Sequence, residues 1–201
     1  MARRWWLVGA LASVLVVLVA ILVVRSVRAA DEDRQPAQRS GVLLIGDSIA
    51  VMASGPEFDR AGWAFNAFRG RTTPQGTEVA RKVDASTRAV VIVALGTNDY
   101  RDTAAAYGRK IDQMMEVVGT GPRVIWVNVD AHTTKLANVA KGVNTALTAA
   151  TDRYPNLWVA DWNAYVATLE GTPDLRAGDG VHYGQKGSEI RRTWTLGLVA
   201  P

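Results

Sequence analysis

Ala89-Val90-Val91-Ile92-Val93-Ala94-Leu95, closed by Gly96-Thr97-Asn98-Asp99, is a run of apolar residues that stops on a glycine turn. The run does not alternate with polar residues, so it reads as a strand buried on both faces. The pattern recurs along the chain. Val42-Leu43-Leu44-Ile45 stops at Gly46, and Leu157-Trp158-Val159-Ala160 stops at Asp161. Arg123-Val124-Ile125-Trp126-Val127-Asn128-Val129 is another such run, and a weaker strand spans Trp63 to Phe68. Helical segments fall between them. Thr73-Pro74 reads as a cap and first-turn proline opening a helix through about Val83. Thr103 caps a helix in which Tyr107, Ile111, Met114, Met115 and Val118 recur at helical spacing. Leu136 to Arg153 repeats that spacing at Val139, Val143, Leu147 and Thr151, and Gly184 to Leu198 is the last helix. Strands that alternate with helices predict an α/β fold, a parallel sheet covered on both sides. Ligands of such sheets sit at the carboxyl ends of the strands. Ser48, Gly70, Asn98, His132 and Asp161 all fall just past a predicted strand end.

Three short pieces supply chemistry at that edge: Gly46-Asp47-Ser48, Gly96-Thr97-Asn98-Asp99 and Asp179-Gly180-Val181-His182. A serine hydroxyl is a weak nucleophile without a base, and an imidazole base needs a partner that fixes its tautomer. Asp179 and His182, three residues apart on a loop with Gly178 and Gly180, provide that pair. Asn98 offers a side-chain amide to a tetrahedral oxyanion. Gly70, within Phe68-Arg69-Gly70-Arg71, offers a further donor from its backbone. Other readings stand beside these. Asp47 or Ser48 alone is an ordinary helix cap. With two histidines in the chain, His132 is a rival base, and Asp161 is a rival acid. Arg69, Arg71 and Arg101 lie near the same edge, either to favour an anionic substrate or as solvated surface arginines. Trp63, Trp126, Trp158 and Trp162 would suit sugar stacking, but Trp126 and Trp158 lie within strands and are expected to pack in the core.

Other chemistries lack their residues. There is no cysteine, hence no disulfide, thiolate metal site or cysteine nucleophile. No metal-ligand spacing such as H-E-x-x-H occurs. The Gly96 turn lacks the further glycines of a dinucleotide loop and the lysine of a phosphate loop. The net charge of +4 includes charges flanking the apolar N-terminal run and forms no basic stripe with interleaved aromatics, which argues against nucleic-acid binding.

Residues 7–24 are apolar or small throughout, without a charge, and about long enough to cross a bilayer core. Residues 1–6 precede them with Arg3, Arg4, Trp5 and Trp6, a basic and aromatic flank. We expect a single transmembrane anchor at 7–24, or a cleaved signal peptide with its processing site near Val27-Arg28-Ala29. Residues 25–40 are polar, with Pro36, and read as a linker to a domain at 41–201. Either reading places that domain outside the cytoplasm, tethered to the membrane or secreted.

With these residues in view, the chain resembles the SGNH hydrolases, also called GDSL-type esterases or lipases. The resemblance is carried by Gly46-Asp47-Ser48, Gly70, Gly96-Thr97-Asn98-Asp99 and Asp179-Gly180-Val181-His182, and covers about Gly41 to Leu198. It implies a flavodoxin-like α/β/α sandwich of about five parallel strands. It implies Ser48 as nucleophile, His182 as base and Asp179 as its orienter. The oxyanion hole would comprise the backbone of Ser48 and Gly70 with the amide of Asn98. No metal or organic cofactor is implied. A membrane-tethered domain of this kind is also similar to those that transfer acyl groups to cell-wall or surface glycans, where a sugar hydroxyl replaces water. The expected partner is thus a small-molecule or glycan acyl ester. The alternatives are an O-acyltransferase or deacetylase of glycans, and a non-catalytic glycan-binding module.

Overall fold

The computed structural model describes residues 41–133 and 135–199. The expected flank, anchor and linker at 1–40 lie outside the described residues. Among the described residues no helix is long and apolar enough to cross a membrane.

Five parallel strands form one sheet: β1 Val42–Gly46, β2 Ala64–Ala67, β3 Val90–Ala94, β4 Arg123–Val127 and β5 Leu157–Ala160. Their spatial order is β2-β1-β3-β4-β5, the flavodoxin-like order, with every neighbouring pair parallel. The helices are α1 Ser48–Met52, α2 Pro56–Arg60, α3 Thr73–Lys82, α4 Ala104–Val118, α5 Ala137–Thr151, α6 Trp162–Ala167 and α7 Gln185–Gly197. Successive strand residues point to opposite faces, and both faces are covered. Leu43, Ile45, Val91, Val93, Val124 and Trp126 pack against the layer formed by α3, α4 and α5. Leu44, Ile92 and Ile125 pack on the other side with Ile49, Phe58, Trp162 and Val166. This two-sided burial is why the strands read as unbroken apolar runs.

All five expected strands form. The expected longer helices form as well, with shifted ends. The N-cap of α3 is Thr72, not Thr73. The Thr73 hydroxyl is committed elsewhere, donating to Asp99 Oδ2 at 2.8 Å, while the Thr72 N–H donates to Gln75 Oε1 at 2.9 Å. Thr103 caps α4 as expected, accepting from the Ala106 N–H at 3.2 Å. Trp126 is fully buried, but Trp158 is 62 % exposed, contrary to its expected core position. Trp158 lies on β5, which ends the sheet, so the face it shares with Ile125 runs out of covering helix there.

Candidate active site

The Ser48 end of the site is built from β1 and α1. The Asp47 N–H donates to Ala94 O at 3.2 Å, extending the β1–β3 ladder by one bond before the chain turns into α1. The turn is tight: a Cβ on Gly46 would stand 2.3 Å from the Cβ of Ala50, so only glycine lets α1 pack against its own strand. Asp47 caps α1, its Oδ1 accepting from the Ile49 N–H at 2.9 Å. Ser48 is thereby the first residue of α1, and its N–H has no helical acceptor of its own. Burial pushes the Asp47 carboxyl up to about 6, against the opposing pull of the Ile49 N–H and the Arg191 charge.

His182 arrives on the loop before α7. The loop is pinned by Ala177 N–H to His182 O (2.9 Å) and Gly184 N–H to Leu175 O (3.1 Å). Gly180 turns it with φ +70°. Asp179 Oδ1 accepts the N–H groups of Val181 and His182, both at 2.9 Å. Its Oδ2 meets His182 Nδ1 at 2.6 Å, and His182 Nε2 meets Ser48 Oγ at 2.8 Å. The His182 backbone and imidazole, with the Val181 N–H, hold the Asp179 carboxyl far below the usual carboxylate range. It therefore stays ionised where an imidazolium would need a counter-charge. Lys135 Nζ also donates to Asp179 O, joining this loop to the one after β4.

The amide comes from the loop after β3. Asn98 Nδ2 donates to Arg71 O at 3.0 Å, which leaves the second amide hydrogen for another acceptor. Asp99 holds this loop in place. Its carboxylate accepts from the Thr73 N–H (3.1 Å), the Thr73 hydroxyl and Lys110 Nζ (2.6 Å). Gly70 sits in the exposed turn after β2 at φ +74°, a left-handed conformation that favours glycine. The loops of Gly70, Ser48 and Asn98 follow three adjacent strands, β2, β1 and β3.

The rival residues have other partners. His132 does not meet the serine; its Nδ1 lies 3.0 Å from Asp130 Oδ1, on a buried carboxylate also held by Arg176 and by the Tyr183 hydroxyl at 2.8 Å. Burial alone would raise the Asp130 carboxyl, but these partners outweigh it and hold it below its ordinary value. Asp161 is the cap of α6, accepting from the Ala164 N–H at 2.9 Å and from Asn128 Nδ2 at 2.8 Å. Arg71 is not available to a substrate anion. Its buried guanidinium donates to Gly46 O (3.1 Å), Asn66 O (2.6 Å) and Asn66 Oδ1 (2.8 Å), fastening the β2 loop to the end of β1. Trp162 is buried, donating from Nε1 to the Tyr183 hydroxyl at 2.5 Å, and offers no face for stacking. Sequence reasoning passed over Asp130, Tyr183 and Arg191 at this edge. Their only signal was a charged or phenolic residue within otherwise apolar surroundings, visible once the packing is known.

No family model matches the sequence, and no curated protein matches it. Solved structures do. The C-terminal catalytic domain of Streptococcus pneumoniae peptidoglycan O-acetyltransferase A, described with a methylsulfonyl adduct, matches at TM-score 0.65 and 22% identity over 79% of this chain and 92% of that one. A lipase/acylhydrolase from Enterococcus faecalis matches at TM-score 0.62 and 21% identity, covering 80% and 95%. A member of the lipolytic G-D-S-L family from Veillonella parvula matches at TM-score 0.62 and 18% identity, covering 80% and 98%. With these structural matches, and with the GDS, GxND and DxxH pieces gathered at one edge of the sheet, the described domain has the fold of the SGNH, or GDSL-type, hydrolases.

Proposed function

We propose that this protein is a serine ester hydrolase that works through an acyl-Ser48 intermediate on small, acetyl-like acyl esters. The observation that carries the reading is the unbroken chain from Ser48 Oγ through both ring nitrogens of His182 to Asp179, at 2.8 and 2.6 Å. In the first half-reaction, Ser48 Oγ attacks the acyl carbonyl carbon and its proton passes to His182 Nε2. The carbonyl oxygen becomes an oxyanion, taken by the Ser48 N–H, the free hydrogen of Asn98 Nδ2 and the Gly70 N–H. Collapse expels the alcohol, which leaves with the proton from His182. In the second half, His182 takes a proton from water, the hydroxide attacks the acyl carbon, and the acid leaves as Ser48 regains its proton. Asp179 keeps the imidazole in the productive tautomer and balances its charge throughout.

A second reading follows from the structural neighbours. One of those that match is a peptidoglycan O-acetyltransferase domain, and a sugar hydroxyl entering in place of water would convert the same site to acyl transfer. The apolar stretch at 7–24 supports placement of the domain at the outer face of a membrane, or its secretion. The test is product analysis of acetyl-ester turnover with and without a glycan acceptor, with mass spectrometry of trapped acyl-Ser48. Free acid alone supports hydrolysis, and acetylated glycan supports transfer. Turnover that survives Ser48→Ala would leave only a non-catalytic, glycan-binding role for this site. Equal turnover of His182→Ala and the parent would rule out His182 as the base.

A further inference from the structure

At the turn from β1 into α1 the structure holds a small cavity of about 20 Å³, lined by Asp47, Thr97, Asn128, Asp130, Tyr183 and Arg191 together with apolar side chains. Two of the lining side chains are buried ions with an unused atom. Asp47 is 1% exposed and Arg191 5%. Asp47 spends Oδ1 on the Ile49 N–H, and its Oδ2 has no partner among the described residues. Arg191 lies with its guanidinium 4.4 Å from the Trp162 ring centre and 5.2 Å from that of Trp194, and its Nη1 likewise has no partner. A buried carboxylate oxygen or guanidinium nitrogen left unpaired costs free energy that native proteins rarely tolerate.

The chemistry of the lining selects the occupant. An anion would meet the carboxylates of Asp47 and Asp130, and a cation would meet Arg191. A neutral molecule that both donates and accepts satisfies both orphan atoms, donating a hydrogen bond to Asp47 Oδ2 and accepting one from the N–H of Arg191 Nη1. The volume decides its size: a water needs roughly 10–15 Å³ by this measure, so the cavity takes one and not two.

We propose that one buried water bridges Asp47 Oδ2 and Arg191 Nη1, and that Arg191 is thereby a positioning residue for the nucleophile. Asp47 is both the residue before Ser48 and the cap that fixes the first turn of α1. Arg191 belongs to α7, the helix entered directly from the His182 loop. The bridge joins the two pieces of the triad, which are 134 residues apart in sequence. By holding Oδ2 it keeps Oδ1 on the Ile49 N–H, and so holds Ser48 Oγ at its distance from His182. The positioning role rests on the ester-hydrolase reading; the water does not.

The test has two arms. A high-resolution crystal structure of the full chain should show one water within hydrogen-bond distance of both atoms. A direct Asp47–Arg191 contact, or a dry cavity, overturns the bridge. In the second arm, p-nitrophenyl acetate kinetics and the rate of Ser48 labelling by a fluorophosphonate are compared in Arg191→Met, Arg191→Lys and Asp47→Asn. Arg191→Met should lose about tenfold or more in kcat with KM little changed, in step with the labelling rate, because small misplacements of a nucleophile are costly. Arg191→Lys should recover part of that loss. Asp47→Asn retains the capping oxygen but presents an amide to the water, and should lose kcat even if Arg191→Met does not fold. Parent-like kcat in folded Asp47→Asn and Arg191→Lys would overturn the positioning role. A parent that is neither labelled nor active sinks the ester-hydrolase reading and the positioning role with it, while the electron density still decides the water.

Discussion

Asp179 holds His182 by two bonds and its neighbour by a third: its Oδ1 takes the His182 N–H at 2.9 Å and the Val181 N–H at the same distance, while its Oδ2 takes His182 Nδ1 at 2.6 Å. One oxygen shapes the loop and the other orients the ring. Asp179→Asn separates the two tasks. The retained oxygen can still accept both backbone N–H groups, so the melting temperature should stay near the parent's. The new amide is a donor, so it opposes the tautomer in which Nε2 accepts from Ser48. We expect kcat on p-nitrophenyl acetate to fall by about 10³–10⁴. A fall in stability comparable to the fall in rate would contradict this division.

Asn98 Nδ2 spends one amide hydrogen on Arg71 O, and the proposed mechanism gives the other to the oxyanion. Asn98→Ala should cost about 3 kcal/mol in the transition state, roughly a hundredfold in kcat, with KM little altered. Steady-state kinetics decide it: a KM effect with kcat intact would make Asn98 a substrate-binding residue instead.

The buried Asp47 carboxyl, with its pKa raised from 3.8 to about 6, binds its proton more tightly in the folded chain than in the unfolded one. Its contribution to stability is therefore present at low pH and is lost as pH rises from about 4 through 6, by roughly 3 kcal/mol in all. Asn at this position cannot titrate. The melting temperature of the parent, relative to that of Asp47→Asn, should accordingly fall between pH 4 and pH 7. A difference that stays flat across this range would show that Asp47 remains ionised throughout.

Two strand tryptophans should respond in opposite ways. Trp126 is fully buried between the sheet and its helices, so Trp126→Ala should cost about 3–5 kcal/mol in chemical denaturation. Trp158 is 62 % exposed at the sheet edge, and Trp158→Ala should change stability by about 1 kcal/mol or less. Equal costs would mean that the β5 face is covered.

These residues also mark where sequence reading stops. Both tryptophans lie in apolar runs, and nothing local tells a central strand from an edge strand. Strand order is a matter of which runs pair, and β5 has a neighbour on one side only. The same applies to polar residues. Arg71 reads as a surface charge, yet it is buried, its guanidinium donating to carbonyls at the end of β1 and in β2. Thr73 reads as a cap, yet Asp99, 26 residues away, takes its hydroxyl.

Local sequence pattern carries the α/β class, the parallel sheet, the edge at which chemistry collects and the candidates Ser48, Asn98, Asp179 and His182. It does so because strand burial leaves an unbroken apolar run and because helix caps and glycine turns are local. The tertiary structure alone decided that His182 rather than His132 meets Ser48, that Asp161 is a cap, and that Asp47 and Arg191 share a buried cavity. These are contacts between segments far apart in the chain, and only the packing of α7 and its loop across the end of the sheet brings them within hydrogen-bond distance.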